Sequence, residues 1–152
     1  MDADCPIRPA SPADAEELSR LERRCFSDPW SPAGFREVLE SPGGFGLVAE
    51  AHGALKAYML GRQLLDEGEI LNLAVAPEWR RRGLGRKLLE ASLRAFMDRG
   101  VTQVFLEVRE SNRAAQRMYF ARGFQPVGHR HDYYRNPAED ALVLRLGFTQ
   151  LA

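Results

Sequence analysis

Two side chains in this sequence have the type and setting for proton transfer. Glu107 ends the run Val104-Phe105-Leu106-Glu107-Val108, an otherwise apolar strand. A carboxylate drawn into such a strand loses hydration, which disfavours its charge and lifts its pKa toward that of a general base. The competing reading is that Glu107 pairs with an arginine, or faces water where the strand ends. Tyr119 follows Asn112 by seven residues, about two helical turns, and so shares its face. Asn112 itself suits an N-cap, where its side chain satisfies a free amide. A core position beside Phe120 would favour Phe, so the Tyr119 hydroxyl needs a partner or a task.

A third feature binds charge rather than moving protons. Arg80-Arg81-Arg82-Gly83-Leu84-Gly85-Arg86 lies between a short apolar run, Leu71 to Val75, and a helical stripe of Leu84, Leu88, Ala91 and Ala95. Pro77 ends the strand because it has no N–H for a ladder. Glycines let the backbone approach a ligand, and the first helical amides have no partner within the helix. With the positive end of the helix dipole and the arginines, this is a site for a phosphate. It lacks the lysine and Ser/Thr of a nucleotide-hydrolysing P-loop and the three-glycine spacing of a dinucleotide fold. A basic, solvated helix start is the bland alternative.

These residues need a framework, and the chain supplies one domain's worth. Its 152 residues are 45% hydrophobic and 28% charged, with 21 basic and 21 acidic side chains. That balance argues against a global nucleic-acid binder and leaves any cationic surface local. No run approaches a membrane span, and no signal-peptide core opens the chain, so a cytoplasmic protein is expected. Cys5 and Cys25 read as one tail and one buried thiol, and the three histidines have no metal-ligand spacing, so no metal is expected. Ile7 to Pro9 reads as an edge strand. Ser11-Pro12 and Ser31-Pro32 each start a helix. Three antiparallel strands follow, Phe45 to Ala51, Ala54 to Leu65 and Glu69 to Val75. After the helix from Leu84 to Asp98 come a strand (Thr102 to Val108), a helix from Asn112 to about Arg122, and two strands (Phe124 to Arg130, Asp140 to Leu146) around a loop, HDYYRNPAE. The expectation is an α/β (α+β) domain over residues 1–152. It has one mixed sheet of six to seven strands, flanking helices, and parallel pairing between Leu71–Val75 and Thr102–Val108.

Arg-x-x-Gly-x-Gly after a strand ending Ala-Val-Ala-Pro resembles the pyrophosphate loop of the GNAT superfamily of N-acetyltransferases, which bind acetyl-coenzyme A. The blocks ILNLAVAPEWRRRGLGRKLL, FLEVRESNRAAQRMYFARGF and DYYRNPAEDALVLRL, with CFSDPWSPAGF earlier, are similar to those of its RimI-type members from about Ile7 to Leu146. The resemblance implies a GNAT-like fold with a splay between the two parallel strands. It implies acetyl transfer from acetyl-coenzyme A to the N-terminal alanine of a small-subunit ribosomal protein. Glu107 matches the family's general base and Tyr119 its general acid. Leu73, Ala74 and Val75 match the strand beside the pantetheine arm, and Arg81, Arg82, Gly83, Leu84, Gly85 and Arg86 the pyrophosphate loop. Asn112 matches a coenzyme contact. Trp30, Tyr133 and Tyr134 fall where the family takes its peptide.

Residue chemistry agrees with that reaction. A peptide α-amine titrates at ~7.7–8.0, so a base must free it before attack. The departing thiolate needs a proton, which a tyrosine supplies, and amides at a strand bulge offer an oxyanion site. Neither cysteine is required as a nucleophile. Two rival readings share these residues: the same chemistry on a lysine or small amine, and a non-enzymatic module in which Arg80–Lys87 binds RNA or a partner. No stable nucleic-acid binding and no membrane contact are expected, and the oligomeric state is left open.

Overall fold

The computed structural model describes residues 5–148, built on one seven-stranded sheet in the order β1-β2-β3-β4-β5-β7-β6. In chain order the strands are β1 (Ile7–Pro9), β2 (Gly44–Ala51), β3 (Ala54–Leu64), β4 (Glu67–Val75), β5 (Gln103–Arg109), β6 (Gln125–Tyr134) and β7 (Glu139–Gly147). The helices are α1 (Ala15–Cys25), α2 (Pro32–Glu40), α3 (Leu84–Asp98) and α4 (Arg113–Arg122). Every pairing is antiparallel except β4 with β5, which α3 joins as a crossover.

Alternation along β3 assigns the two faces. Ala57 and Met59 pack with Leu88, Leu89, Leu93 and Phe96 of α3 and Tyr119 of α4. Tyr58 and Leu60 pack with Leu18 and Leu21 of α1 and Phe35 of α2. The sheet is therefore covered on both faces, and its central strands are apolar in both directions. Proline at N1 and a serine side chain accepting from Gly34 N at 3.2 Å start α2, as the Ser-Pro signal implies. Asn112 caps α4, its side chain accepting from Ala115 N at 3.1 Å.

One registration detail positions the site. β4 and β5 pair from Glu67–Gln103 to Ile70–Leu106 and no further, although both strands continue. At that point β4 carries a bulge: Leu60 lies opposite Asn72 while Gly61 lies opposite Ile70, leaving Leu71 extra. A bulge bends its strand and increases its twist, which carries Leu71–Val75 away from β5. β5 keeps its ladder with β7 through Arg109–Ala141. The parallel pairing thus lies one segment earlier than Leu71–Val75, in Glu67–Ile70, of which Glu67 and Gly68 read as a turn and Glu69 and Ile70 as the start of the strand. The turn itself is at Leu65, with φ 55°.

Two further expectations are corrected. Most of HDYYRNPAE is strand, because β6 continues to Tyr134 opposite Glu139. Cys5, at the start of the described chain, is fully buried in the α3-side core, and Cys25 is the partly exposed thiol. No described helix is long and apolar enough to cross a membrane.

In the α3-side core Phe96 packs against the β4 backbone at Gly68. A Cβ at Gly68 would lie 2.6 Å from two Phe96 ring carbons. Gly68→Ala should therefore destabilise the fold by about 1–3 kcal/mol through overpacking. Phe96→Leu in the same chain should recover part of that loss, as read from urea unfolding midpoints.

Candidate active site

The parting of β4 from β5 opens a cleft with two halves. One, about 600 Å³, is lined by Leu73, Ala74 and Val75 of β4, by Arg80, Arg81, Gly83, Leu84, Gly85 and Arg86, and by Met118 and Tyr119 of α4. The other, about 630 Å³, is lined by Glu22, Trp30, Glu69, Leu71, Asn72, Glu107, Tyr133 and Tyr134, among others. Leu73, Asn112, Ala115 and Tyr119 line both, so the halves are continuous.

The first half has the chemistry of a long anionic ligand carrying amides. At one end Arg81 and Gly83 take left-handed conformations (φ 64° and 80°), and Gly83 caps α3. Behind Gly83 the first amides of α3 lack helical partners. A Cβ at Gly85 would stand 3.5 Å from both Met118 Sδ and Val75 Cγ2, so the glycine widens the cleft between them. At the other end, the β4 edge from Leu71 onward has no strand beside it and offers ladder groups to an extended amide chain. Two arginines are used differently from the others. Arg80 Nε donates to Val75 O at 3.0 Å, closing the last carbonyl of β4. The Arg82 guanidinium lies 4.9 Å from the Trp79 ring centroid, and this residue does not line the cleft.

The second half holds Glu107. Its side chain is 15% exposed and receives Arg130 Nε at 3.2 Å. Desolvation raises its pKa, the neighbouring Glu69 carboxylate adds to this, and Arg130 opposes both. Both sequence readings of Glu107 therefore hold: it is a desolvated carboxylate and it is arginine-paired. The register explains Glu69. It lies opposite Phe105, and Glu107 is two residues on, so both acids share one sheet face. Arg62, opposite Glu69 on β3, pairs with it at 3.0 Å.

Tyr119 is buried, edge-on to Phe124 at 5.5 Å. Burial pushes its phenol well above the ordinary value, so the hydroxyl keeps its proton. Asn112 uses its side-chain oxygen for the α4 cap, leaving the amide NH₂ as its donor toward any ligand. Tyr133 and Tyr134 stack edge-on at 5.0 Å, and Arg109 lies 4.5 Å from the Tyr134 ring centroid. Arg109 also donates to Arg135 O at 2.8 Å and Pro137 O at 3.1 Å, tying the β6–β7 turn to β5. Trp30 packs on Phe35 at 5.7 Å.

Sequence reasoning missed Glu22, Asn72, Glu69 and Arg62. For Glu22 a signal existed: it sits among Leu18, Leu21 and Cys25 on the apolar stripe of α1, and it is 1% exposed. The others depend on pairing across strands. The same holds for His129, paired with Glu110 at 2.9 Å and Asp140 at 3.2 Å in an exposed cluster that histidine spacing alone does not reveal.

Comparison with known proteins agrees with this geometry. The family model described as Acetyltransferase (GNAT) family matches residues 15–124. N-alpha-acetyltransferase RimI of Mycobacterium tuberculosis is 41% identical over 139 residues, covering 88% of this chain and 86% of that protein. The ribosomal protein bS18-alanine N-acetyltransferase of Escherichia coli is 34% identical over 135 residues, covering 88% and 90%. The crystal structure of the ribosomal-protein-S18-alanine N-acetyltransferase from Escherichia coli superposes with a TM-score of 0.89 at 31% identity, covering 97% of this chain and 96% of that one. A more distant structure, Arabidopsis thaliana NAA60 in complex with acetyl-CoA, shares the fold with a TM-score of 0.82 at 20% identity. The chain belongs to the GNAT acetyltransferase family and is an acetyl-CoA-dependent N-acetyltransferase of RimI type.

Proposed function

We propose that this chain transfers the acetyl group of acetyl-CoA to the N-terminal alanine of a small-subunit ribosomal protein, with Glu107 as general base and Tyr119 as general acid. The observation that carries the reading is the continuity of the two half-clefts at Leu73 and Tyr119. The anion loop, the unpaired β4 edge and the tyrosine line one half, and the half-buried carboxylate lines the other. The name of the Escherichia coli relative, ribosomal protein bS18-alanine N-acetyltransferase, supports the acceptor.

In this reading Arg81, Gly83, Leu84, Gly85 and Arg86 hold the pyrophosphate through charge and helix amides. Leu73, Ala74 and Val75 take the pantetheine arm as an added strand, and the Asn112 amide donates to the coenzyme. Arg82 contributes charge from its place on Trp79. The acceptor enters between Trp30 and the Tyr133–Tyr134 pair. Glu107 removes a proton from the α-ammonium, directly or through water, and the freed amine adds to the acetyl carbonyl. Amides at the Leu71 bulge stabilise the oxygen as it gains charge. Collapse breaks the C–S bond, the Tyr119 hydroxyl protonates the departing sulfur, and the amine proton left over goes to solvent. Burial serves both groups in opposite senses: it makes Glu107 a better base and keeps Tyr119 protonated until it acts.

Two tests follow from these roles. Glu107→Gln and Tyr119→Phe should each lower kcat by ~10²–10⁴ while acetyl-CoA affinity stays near that of the unaltered protein. Turnover is read by thiol release and product mass on hexapeptides beginning with alanine, against acetyl-alanine peptides carrying an internal lysine. Acetylation of the lysine alone would move the acceptor to side-chain amines. The second test uses pH. Activity falls at low pH as Glu107 becomes protonated, and Arg130 holds its pKa down. Arg130→Gln should therefore move the acidic limb of kcat/KM to higher pH, and a limb that stays in place would separate that limb from Glu107.

A further inference from the structure

The acceptor half of the cleft is fastened at a single buried carboxylate that takes no part in the proton transfers above. Glu22, on the sheet-facing side of α1, accepts Asn72 Nδ2 on both oxygens, at 2.9 and 3.0 Å. Its Oε2 also accepts Trp30 N at 3.0 Å, and its Oε1 accepts the Tyr58 hydroxyl. Four segments meet there: α1, the 26–31 loop, β3 and β4. Two of the partners border the acceptor site directly. Asn72 follows the bulge residue Leu71, and Trp30 begins the turn into α2; Glu22, Leu71, Asn72 and Trp30 all line the acceptor half. Ser19 of α1, donating to Trp30 O at 2.9 Å, holds the next peptide of the same residue.

We infer that Glu22 is a positioning residue for acetyl transfer, fixing the acceptor wall at Trp30 to the bulged segment of β4 at Asn72. A buried carboxylate is costly unless its lone pairs are filled, and here every bond it accepts comes from a group that shapes the cleft or from β3 behind it. The arrangement is directional. All donors point at Glu22, so an amide in its place presents an N–H₂ to at least one of them. With Oε1 still serving Tyr58 and Asn72, the amide nitrogen in the place of Oε2 faces Trp30 N–H, donor against donor. The loop and the bulge then lose their common tether, while the anion loop and Leu73–Val75, which Glu22 does not touch, are unaffected. Tyr58 separates this role from fold stability. It donates to Glu22 but does not line the cleft, so its loss weakens the core and leaves the Trp30 and Asn72 bonds in place.

The inference rests on the proposed peptide acceptor, and the experiment keeps the two apart. Glu22→Gln, Tyr58→Phe and the unaltered protein are compared for melting temperature, acetyl-CoA affinity, kcat and KM for the alanine peptide, and amide exchange at Trp30. Glu22→Gln should raise acceptor KM and lower kcat/KM by at least tenfold, with faster Trp30 exchange and acetyl-CoA affinity within about twofold. Tyr58→Phe should lower the melting temperature and keep acceptor KM within about twofold. If Glu22→Gln does not fold, Asn72→Ser removes the donor side of the same tether and should reproduce the acceptor defect. Unchanged kcat/KM in Glu22→Gln, an equal loss in Tyr58→Phe, or a parallel loss of acetyl-CoA affinity would overturn the positioning role. A protein that acetylates no peptide in its unaltered form defeats the proposed acceptor instead, and Trp30 exchange alone then decides whether Glu22 fixes the loop.

Discussion

Everything in the site depends on two neighbouring strands that stop pairing. Backbone donors and acceptors must be satisfied, and in most sheets a central strand satisfies them on both sides. β4 does so only as far as Ile70, where the extra residue Leu71 turns it from β5. The remaining edge lies inside the molecule, between α1 on one face and α4 on the other, rather than at a solvated rim. An unpaired interior edge is a demand for a ligand with amides of its own. Arg80 answers that demand at the final carbonyl, and the stretch before it lines the cleft.

The electrostatics follow from the same opening. Side chains at the ends of β4 and β5 are neither in bulk water nor fully enclosed, so modest neighbours decide their protonation. Glu107 is pushed up by desolvation and by Glu69, and held back by Arg130. The row Arg62, Glu69, Glu107 and Arg130 places a cation at each end of two neighbouring carboxylates. Such a row keeps two carboxylates on one face of the sheet without leaving either without a cation. Tyr119 is reached from the opposite face by α4, and burial raises its pKa and keeps its proton in place.

Fastening is uneven around the cleft. The loop that carries Arg81 and Gly83 is shaped by its own backbone, with left-handed residues and a helix cap. The half that holds Glu107 is instead tied by side chains from distant segments, Glu22 to Trp30 and Asn72 on one flank and Arg109 to the β6–β7 turn on the other. A cosubstrate shared across a family is compatible with a local, sequence-encoded loop. An acceptor wall assembled from separate elements can be retuned piecewise, since no single segment defines it.

The sequence by itself determined the local features. Ser-Pro and Asn112 caps, apolar stripes, turn residues and the arginine–glycine loop act within a few residues, so their effects are legible without a fold. The motif resemblance added the order of the blocks and the roles proposed for Glu107 and Tyr119. Tertiary structure alone decided the rest. The pairing of Glu67–Ile70 with β5 and the burial of Cys5 in the α3-side core are settled by partners far away in sequence. Glu22 shows why most clearly. A glutamate on an apolar stripe reads as an interruption of the pattern, and only the convergence of Tyr58, Asn72 and Trp30 on its carboxylate turns that interruption into a tether.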